Sequence, residues 1–201
     1  MNAKKGTART KWLIDQENSE ISFTVKHLLN SHVKGEFKTF DASISTIGNN
    51  FRTAQINFWI DTSSITTNHV KRDWHLKSSD FLNVKSYRYI TFTSNSIGVS
   101  SNGDYELGGE LTILGITHEI KLDVHFGGEL NDHWGYERAA FTVSGVINRS
   151  DWGLTWNTST ETGCLVVADE VNIQCEVELT DKDQKEKRIQ LESARDYSFM
   201  E

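Results

Sequence analysis

The sequence has no proline, little cysteine and no excess of positive charge. Its 201 residues include two cysteines, Cys164 and Cys175, and the acidic residues outnumber Lys and Arg by 28 to 21. Two cysteines are too few for a disulfide scaffold or a cysteine-rich zinc site, so we expect two reduced thiols. A net charge of −7 excludes a basic footprint over the whole domain, and we therefore predict no nucleic-acid partner.

Long apolar runs are also missing. No stretch approaches the roughly 18 residues needed to cross a bilayer, so we predict a protein that does not span the membrane. Residues 1–11 are basic, but nothing apolar follows them until Trp12. A signal peptide is therefore not expected in this chain. The prediction is a cytoplasmic protein, or a periplasmic one if the chain derives from a cleaved precursor.

What the sequence does have is alternation of apolar and polar residues, which recurs from Trp12 to Leu179. Such alternation is typical of strands with one buried face, and clusters of Gly, Asn, Asp and Ser separate the runs. Clear examples are the runs 21–27, 56–61, 107–113, 120–126, 141–145 and 171–179. Many short strands at hairpin spacing predict an all-β fold, either an antiparallel sandwich or a barrel.

One internal segment breaks this pattern. Between Ser63 and Val84 the alternation is lost, and Val70, Trp74 and Leu76 lie close to helical spacing. We predict a short helix that bridges two strands.

Both termini differ in composition from the middle of the chain. Residues 181–201 contain 11 charged residues of mixed sign among 21, which favours a frayed or disordered tail over a docked helix. The predicted organisation is an N-terminal tail at 1–11, one domain at 12–180 and a charged C-terminal tail at 181–201.

Motifs for catalysis, cofactors or metals are weak or missing. The sequence has no glycine-rich nucleotide cradle, no GxSxG elbow and no HExxH, and its seven histidines are scattered. We therefore predict no catalytic residues, no cofactor and no metal. The notable apolar feature is a set of phenylalanines on the predicted inner faces, namely Phe23, Phe37, Phe40, Phe58, Phe81, Phe92, Phe126 and Phe141. They could fill the core or line a cavity for an apolar ligand, and alternation does not separate the two.

Five blocks of the chain form an ordered set of motifs. They are WLIDQENSEISFTVKH, VKGEFKTFDASI, VKRDWHLKSSDFLNV, GGELTILGITHEIKLDV and INRSDWGLTW. The positions that define them are Trp12, Ile14, Asp15, Ser19, Phe23 and His27; Gly35, Phe37 and Phe40; Arg72, Asp73, His75, Leu76, Asp80 and Phe81; Gly109, Leu111, Thr112, Ile113, Gly115 and Thr117; and Arg149, Asp151, Trp152, Gly153 and Leu154. In these blocks the chain resembles the YceI-like family of lipocalin-like, polyisoprenoid-binding proteins, and the resemblance runs from Trp12 to about Thr180.

The resemblance implies an eight-stranded antiparallel lipocalin-like barrel with a short helical insertion and an elongated apolar cavity. The implied ligand is a long-chain isoprenoid, such as a quinone tail, or a similar fatty lipid, held for sequestration, storage or transport. Family members are often dimers, so a homodimer is a further expectation. Burying such a chain gains roughly 0.8 kcal/mol per CH₂, so few polar contacts are needed.

The residues expected to bind this lipid are mostly apolar. They are Phe23, Val25, Phe37, Phe40, Phe58, Ile60, Phe81, Phe92, Leu111, Ile113, Phe141 and Trp152. The candidates for contact with its polar head are Arg72, Asp73, His75 and Arg149. The structural alternative is that Arg72 with Asp73, and Arg149 with Asp151, form ion pairs that fix the insertion to the barrel.

Two rival functions remain open at this point. One is an enzyme acting on an isoprenoid-like substrate, with Asp73 and His75 as an acid–base pair. The other is a barrel filled by its own side chains that acts as a stress-linked interaction protein.

Overall fold

The computed structural model describes residues 9–27, 31–100, 104–133, 135–158, 166–183 and 186. The strands are β1 (Arg9–Ile14), β2 (Glu20–His27), β3 (Ser31–Phe37), β4 (Phe40–Ile47), β5 (Asn50–Asp61), β6 (Ile65–Thr66), β7 (Tyr89–Val99), β8 (Tyr105–Ile113), β9 (Ile116–Asn131), β10 (Glu137–Asn148) and β11 (Val167–Asp181). The helix α1 is Val70–Lys77, and two short 3₁₀ turns are Thr62–Ser64 and Arg149–Trp152.

The strands form one closed antiparallel barrel with eight strand positions. Three positions are occupied by broken strands, because β1 continues into β2, β3 into β4 and β5 into β6. β7 to β11 follow in order. The barrel closes where β11 pairs with both halves of the first strand, with Trp12 opposite Asp181 and Ile21 opposite Cys175. The predicted eight-stranded barrel with one short helix is confirmed.

The two ends of the barrel differ in the residues that they carry. At the helix end, β2 finishes at His27, β10 finishes at Asn148 and β11 begins at Val167. The aromatic end is defined by the contacting rings of Trp12, Phe51, Phe126 and Phe141. α1 belongs to the helix end, since it follows β6, which pairs with β3.

The helix predicted between Ser63 and Val84 is confirmed as α1. The side chain of His69 caps its first turn by accepting a hydrogen bond from the Arg72 N–H at 3.3 Å, and Ser78 ends it. No residue of α1 is fully buried, and Val70 and Trp74 are 75% and 77% exposed. Tertiary packing through Leu76 therefore stabilises only one face of the helix.

The barrel strands reach slightly beyond the predicted domain limits. β1 begins at Arg9 and β11 ends at Asp181, because these residues extend existing ladders. The rest of the predicted tails, at 1–8 and at 184–201 apart from residue 186, lies outside the described residues, as does Cys164. Cys175 is a free thiol.

Candidate functional site

Two cavities lie one behind the other inside the barrel. The larger has a volume of about 500 Å³ and lies at the helix end, whereas the smaller, of about 190 Å³, extends toward the aromatic end. Ile21, Ile60 and Ile173 line both cavities and form a collar between them. The described side chains therefore leave space inside the barrel, in contrast to the filled-barrel hypothesis.

The predicted lipid-binding residues divide between the two cavities. Those that line the larger one are Phe23, Val25, Phe37, Ile60, Phe81, Leu111 and Ile113. Those that line the smaller one are Phe58, Ile60, Phe92 and Phe141. The phenylalanines thus line the cavities, and most of them also belong to the hydrophobic core.

Phe40 and Trp152 line neither cavity. Phe40 is buried in the core, with its ring 6.2 Å from that of Phe58. The indole of Trp152 is buried, donates a hydrogen bond to the Leu111 carbonyl at 3.1 Å and contacts the ring of His118. Both residues support the barrel wall behind the cavity surface.

Arg149 is the buried cation of the larger cavity. Only 7% of the residue is exposed, and it begins the 3₁₀ turn that follows β10. Its Nε donates to the Ala168 carbonyl at 2.9 Å, and its Nη1 donates to the carbonyls of Trp156, at 2.9 Å, and Leu154. Among the described residues, its Nη2 has no hydrogen-bond partner and no carboxylate lies within ion-pair distance.

The predicted alternative of an Arg149–Asp151 ion pair is wrong. Side chains two residues apart do not face each other in a helical turn, and the guanidinium turns inward. Burial lowers the pKa of Arg149, and the carboxylate of Asp169 opposes this only in part. Asp169 itself accepts hydrogen bonds from the N–H and hydroxyl of Ser150. Arg149 therefore remains a cation without a paired carboxylate at the surface of an apolar cavity.

His75 lies at the same end of the larger cavity, between two aromatic rings. Its ring centroid is 4.6 Å from Trp156 and 5.1 Å from Phe81, with both contacts edge-to-face. Its Nε2 lies 3.0 Å from an oxygen of Asp80. Since the Trp156 carbonyl binds Arg149, this one residue connects the imidazole to the guanidinium.

Arg72 and Asp73 contact the segment before α1 and not each other. Arg72 lines the larger cavity, and its Nε donates to the Thr67 hydroxyl at 2.7 Å. Asp73 lines neither cavity, and its carboxylate accepts hydrogen bonds from Thr66 and from the N–H and hydroxyl of Thr67. Burial raises the pKa of Asp73, but these hydrogen bonds outweigh it and hold the pKa below its ordinary value. The charge of Arg72 also lowers the pKa of Asp73, but the two side chains meet only through Thr67, so the predicted direct Arg72–Asp73 ion pair is wrong.

The acid–base pair of the enzyme hypothesis is not assembled. Asp73 faces Thr66 and Thr67, while His75 faces Asp80. Residues two apart on a helix point in different directions, which keeps the two groups separate.

None of the described residues that line the smaller cavity is charged. Phe51 contacts Trp12, Phe126 and Phe141 at centroid distances of 5.0, 5.9 and 4.9 Å. The Trp12 indole donates to the Thr46 hydroxyl at 2.9 Å. Phe51 and Phe141 of this cluster line the smaller cavity.

Arg138, on β10 near the aromatic end, binds three carboxylates. The distances from its guanidinium are 2.6 Å to Asp15, 2.9 Å to Asp132 and 3.3 Å to Glu178. The hydrogen bonds that Arg138 donates to Asp132 and Asp15 raise the pKa of its guanidinium. Burial raises the pKa of Asp15, but Arg138 outweighs this and lowers it overall.

Sequence reasoning missed two residues at the helix end, Trp156 and Lys71. Trp156 follows Leu154 by two residues, outside the matched positions of the last block, and no alternation marks its segment. Lys71 lines the larger cavity beside Arg72. The position of each depends on a local turn or helix rather than on strand periodicity.

The described part of the chain contains neither a metal-binding cluster nor a membrane-spanning helix. No group of three or more His, Cys, Asp or Glu side chains there could hold a metal ion. Likewise, no helix in these ranges has the length and apolar character to cross a membrane.

The comparison with protein families agrees with the geometry of the barrel. The model of the YceI-like domain matches residues 12–179. The chain belongs to the YceI-like family. Its curated relatives include a UPF0312 protein of Pectobacterium atrosepticum, 37% identical over 77% of this chain and 82% of the relative. A UPF0312 protein of Staphylococcus epidermidis is 36% identical over 85% of this chain and 98% of its own length.

Solved structures of the family share the fold. The Campylobacter jejuni YceI protein is 35% identical, with a TM-score of 0.67 over 78% of this chain and 90% of its own. Burkholderia cenocepacia BcnA, at 23% identity and TM-score 0.71, covers 82% of this chain and 98% of its own. A polyisoprenoid-binding domain from Saccharophagus degradans, at 17% identity and TM-score 0.62, covers 85% and 98%. These last two similarities establish the fold alone.

Proposed function

We propose that this protein binds one long apolar chain inside the barrel, with its polar head at the helix end, and carries it without covalent chemistry. The observation that carries the proposal is the pair of cavities in line, whose apolar linings meet at the collar of Ile21, Ile60 and Ile173. A ligand that fills both must be long and narrow. Isoprenoid tails and fatty chains have this shape.

The lining supplies the binding energy. Each CH₂ group transferred from water into an apolar site gains roughly 0.8 kcal/mol, so a chain of many such groups needs few polar contacts. The smaller cavity is lined by residues such as Ile44, Phe58, Leu122 and Val177. It suits the distal end of a chain.

Among the described residues, the cations that could bind the polar head line the larger cavity. Arg149 is a buried cation without a paired carboxylate, and His75 offers an imidazole nearby through their shared neighbour Trp156. Arg72 and Lys71 add positive charge at the cavity surface. We infer a head group that accepts hydrogen bonds or carries negative charge, such as a quinone oxygen, a carboxylate or a phosphate.

Family membership supports the same ligand class. The Saccharophagus degradans neighbour is a polyisoprenoid-binding domain with the same barrel fold. We therefore propose a long-chain isoprenoid as the first ligand to test and a fatty lipid as the second.

The test is mass spectrometry on an organic extract of the purified protein, repeated after incubation with isoprenoid and fatty lipids. We expect a stoichiometric long-chain lipid in the wild type. Ile173→Trp should lose it, because the larger ring blocks the collar between the cavities. The matched control is Val146→Trp, since Val146 is 56% exposed on the same barrel. A wild type that retains no lipid, or an Ile173→Trp variant that is folded and retains the same long lipid, would refute the proposal.

A further inference from the structure

α1 presents two chemically different faces. At 3.6 residues per turn, Val70, Trp74 and Lys77 fall on one side, and Lys71, Arg72, His75 and Leu76 fall on the other. The second group lines the larger cavity. The first face carries Val70 and Trp74, which are 75% and 77% exposed and are the most exposed large apolar side chains of the described chain.

This exposed apolar pair lies in a locally basic segment of an acidic protein. Residues 69–88 contain five Lys and Arg residues against two Asp, whereas the whole chain carries −7. Both carboxylates are engaged, since Asp73 accepts hydrogen bonds from Thr66 and Thr67 and Asp80 contacts His75. Arg88 binds Asp61 and adds no unpaired charge. α1 itself carries three cations, Lys71, Arg72 and Lys77, against Asp73, so the exposed indole of Trp74 lies on a helix of net positive charge.

We propose that α1 is a docking surface for an anionic lipid bilayer, with Val70 and Trp74 inserted at the interface and the surrounding Lys and Arg residues on the headgroups. Tryptophan favours the boundary between headgroups and acyl chains. Lys and Arg near an anionic surface are attracted to it. An amphipathic helix with these features lies in the plane of the interface.

A second copy of the chain fits this surface less well. In a symmetric dimer the same patch occurs on both subunits, so two basic segments would face each other and repel. The opposite face of α1 lines the cavity at the helix end, so docking would bring that cavity against the bilayer. This inference adds a membrane contact to the proposed lipid carrier. Vesicle binding can be measured whether or not the cavity holds a lipid, so the two proposals are tested separately.

The test is flotation of the full chain with vesicles of phosphatidylcholine alone or mixed with phosphatidylglycerol, at low and high salt. We expect binding only to the anionic vesicles, with each basic contact worth about fivefold in affinity at low salt. The variant Val70→Ser/Trp74→Ser should lose about tenfold in vesicle affinity. The matched control, Trp59→Ser/Val146→Ser, changes the same residue types on the barrel wall, where they are 36% and 56% exposed, and should bind like the wild type.

A second readout locates the contact. Brominated lipids should quench part of the tryptophan fluorescence, and Trp74→Phe should remove that quenching while Trp59→Phe should not. The proposal is overturned if the wild type floats with neither vesicle, or if the α1 variant floats as well as the wild type. It is also overturned if light scattering shows a dimer that Val70→Ser/Trp74→Ser dissociates, which would assign the surface to a second copy. Because lipid extraction is a separate assay, either proposal can fail without the other.

Discussion

Arg138 and Arg149 lie on or next to the same strand, at opposite ends of the barrel, and differ in what they bind. Arg138 binds three carboxylates, Asp15, Asp132 and Glu178. Arg149 is more deeply buried and binds three carbonyl oxygens, with no ion-paired carboxylate among the described residues. The charge of Arg138 is neutralised by these carboxylates, which it joins to one another. Arg149 instead leaves net positive charge at the surface of the larger cavity.

The side chains around the two cavities differ in the same way as the two arginines. At the aromatic end, Trp12 packs against a cluster of three phenylalanines beside the smaller cavity. At the helix end, His75 and Arg149 face a cavity of about 500 Å³. One end is built for stability and the other retains polar groups that a purely structural barrel would not need.

Chemical labelling of Cys175 measures how accessible the smaller cavity is to a reagent in solution. Cys175 lines the smaller cavity, and burial raises the pKa of its thiol to about 12 from 9.0. This leaves about a thousandfold less thiolate than an ordinary cysteine at the same pH. In a Cys164→Ser variant we expect alkylation at least that much slower than for the urea-unfolded chain. Rapid labelling of the folded protein would contradict a thiol that is buried in the smaller cavity.

Replacing each arginine by methionine would sharpen the contrast in stability. Arg149→Met leaves three carbonyls without their donor in a buried site, and we expect a loss of about 4 kcal/mol in the free energy of unfolding. Arg138→Met leaves Asp15 and Asp132, whose side chains are 18% and 8% exposed, without their shared cation, and should cost about 3 kcal/mol. Urea unfolding measures both. Equal losses would mean that the carbonyl contacts of Arg149 are not the stronger constraint.

Lysine at the same two positions separates binding from folding. Arg149→Lys retains the charge but loses the forked donor geometry, so we expect about tenfold weaker binding of a fatty acid. Arg138→Lys should leave that affinity unchanged, since Arg138 lines neither cavity. Isothermal titration of the folded variants tests this. Equal affinities for both would remove Arg149 from the head-group site.

Acid titration should give the smallest effect, and it concerns the aromatic end. The pKa of Asp15 is held below its ordinary 3.8, mainly by Arg138 acting against burial. A carboxyl with a lowered folded pKa contributes stability above the unfolded pKa and loses it as the pH falls through the folded value. We expect the wild type to lose more stability below about pH 4 than Asp15→Asn does. Parallel curves would mean that the Asp15–Arg138 contact adds no stability.

Sequence reasoning predicted the barrel well because strand periodicity is local. Alternation such as that of Ile21, Phe23 and Val25 needs only one buried face, and the lost alternation after Ser63 correctly indicated α1. The helix spacing of Val70, Trp74 and Leu76 did not indicate which side is buried. Only Leu76 packs on the core, and the other two face outward.

The side-chain contacts at the helix end were harder to predict because they depend on turns. Ion pairs between Arg72 and Asp73, or Arg149 and Asp151, follow from proximity in sequence, but neighbours on a helical turn point apart. Trp156 connects His75 to Arg149 through its ring and its carbonyl, and neither contact has a sequence signature. Phe40 and Trp152 were predicted to bind the lipid from the family resemblance, yet they pack behind the cavity wall.

The central claim is that the aligned cavities bind one extended apolar chain, and the most direct test is affinity as a function of chain length. Titration of the lipid-stripped protein with fatty acids or prenyl chains of increasing length should strengthen binding by about 0.8 kcal/mol, roughly fourfold in Kd, for each added CH₂. The gain should stop when the tail reaches the ring of Phe51, and stop earlier in Ala54→Phe, which fills the smaller cavity. Affinity that does not change with chain length, or no binding at any length, would contradict the account.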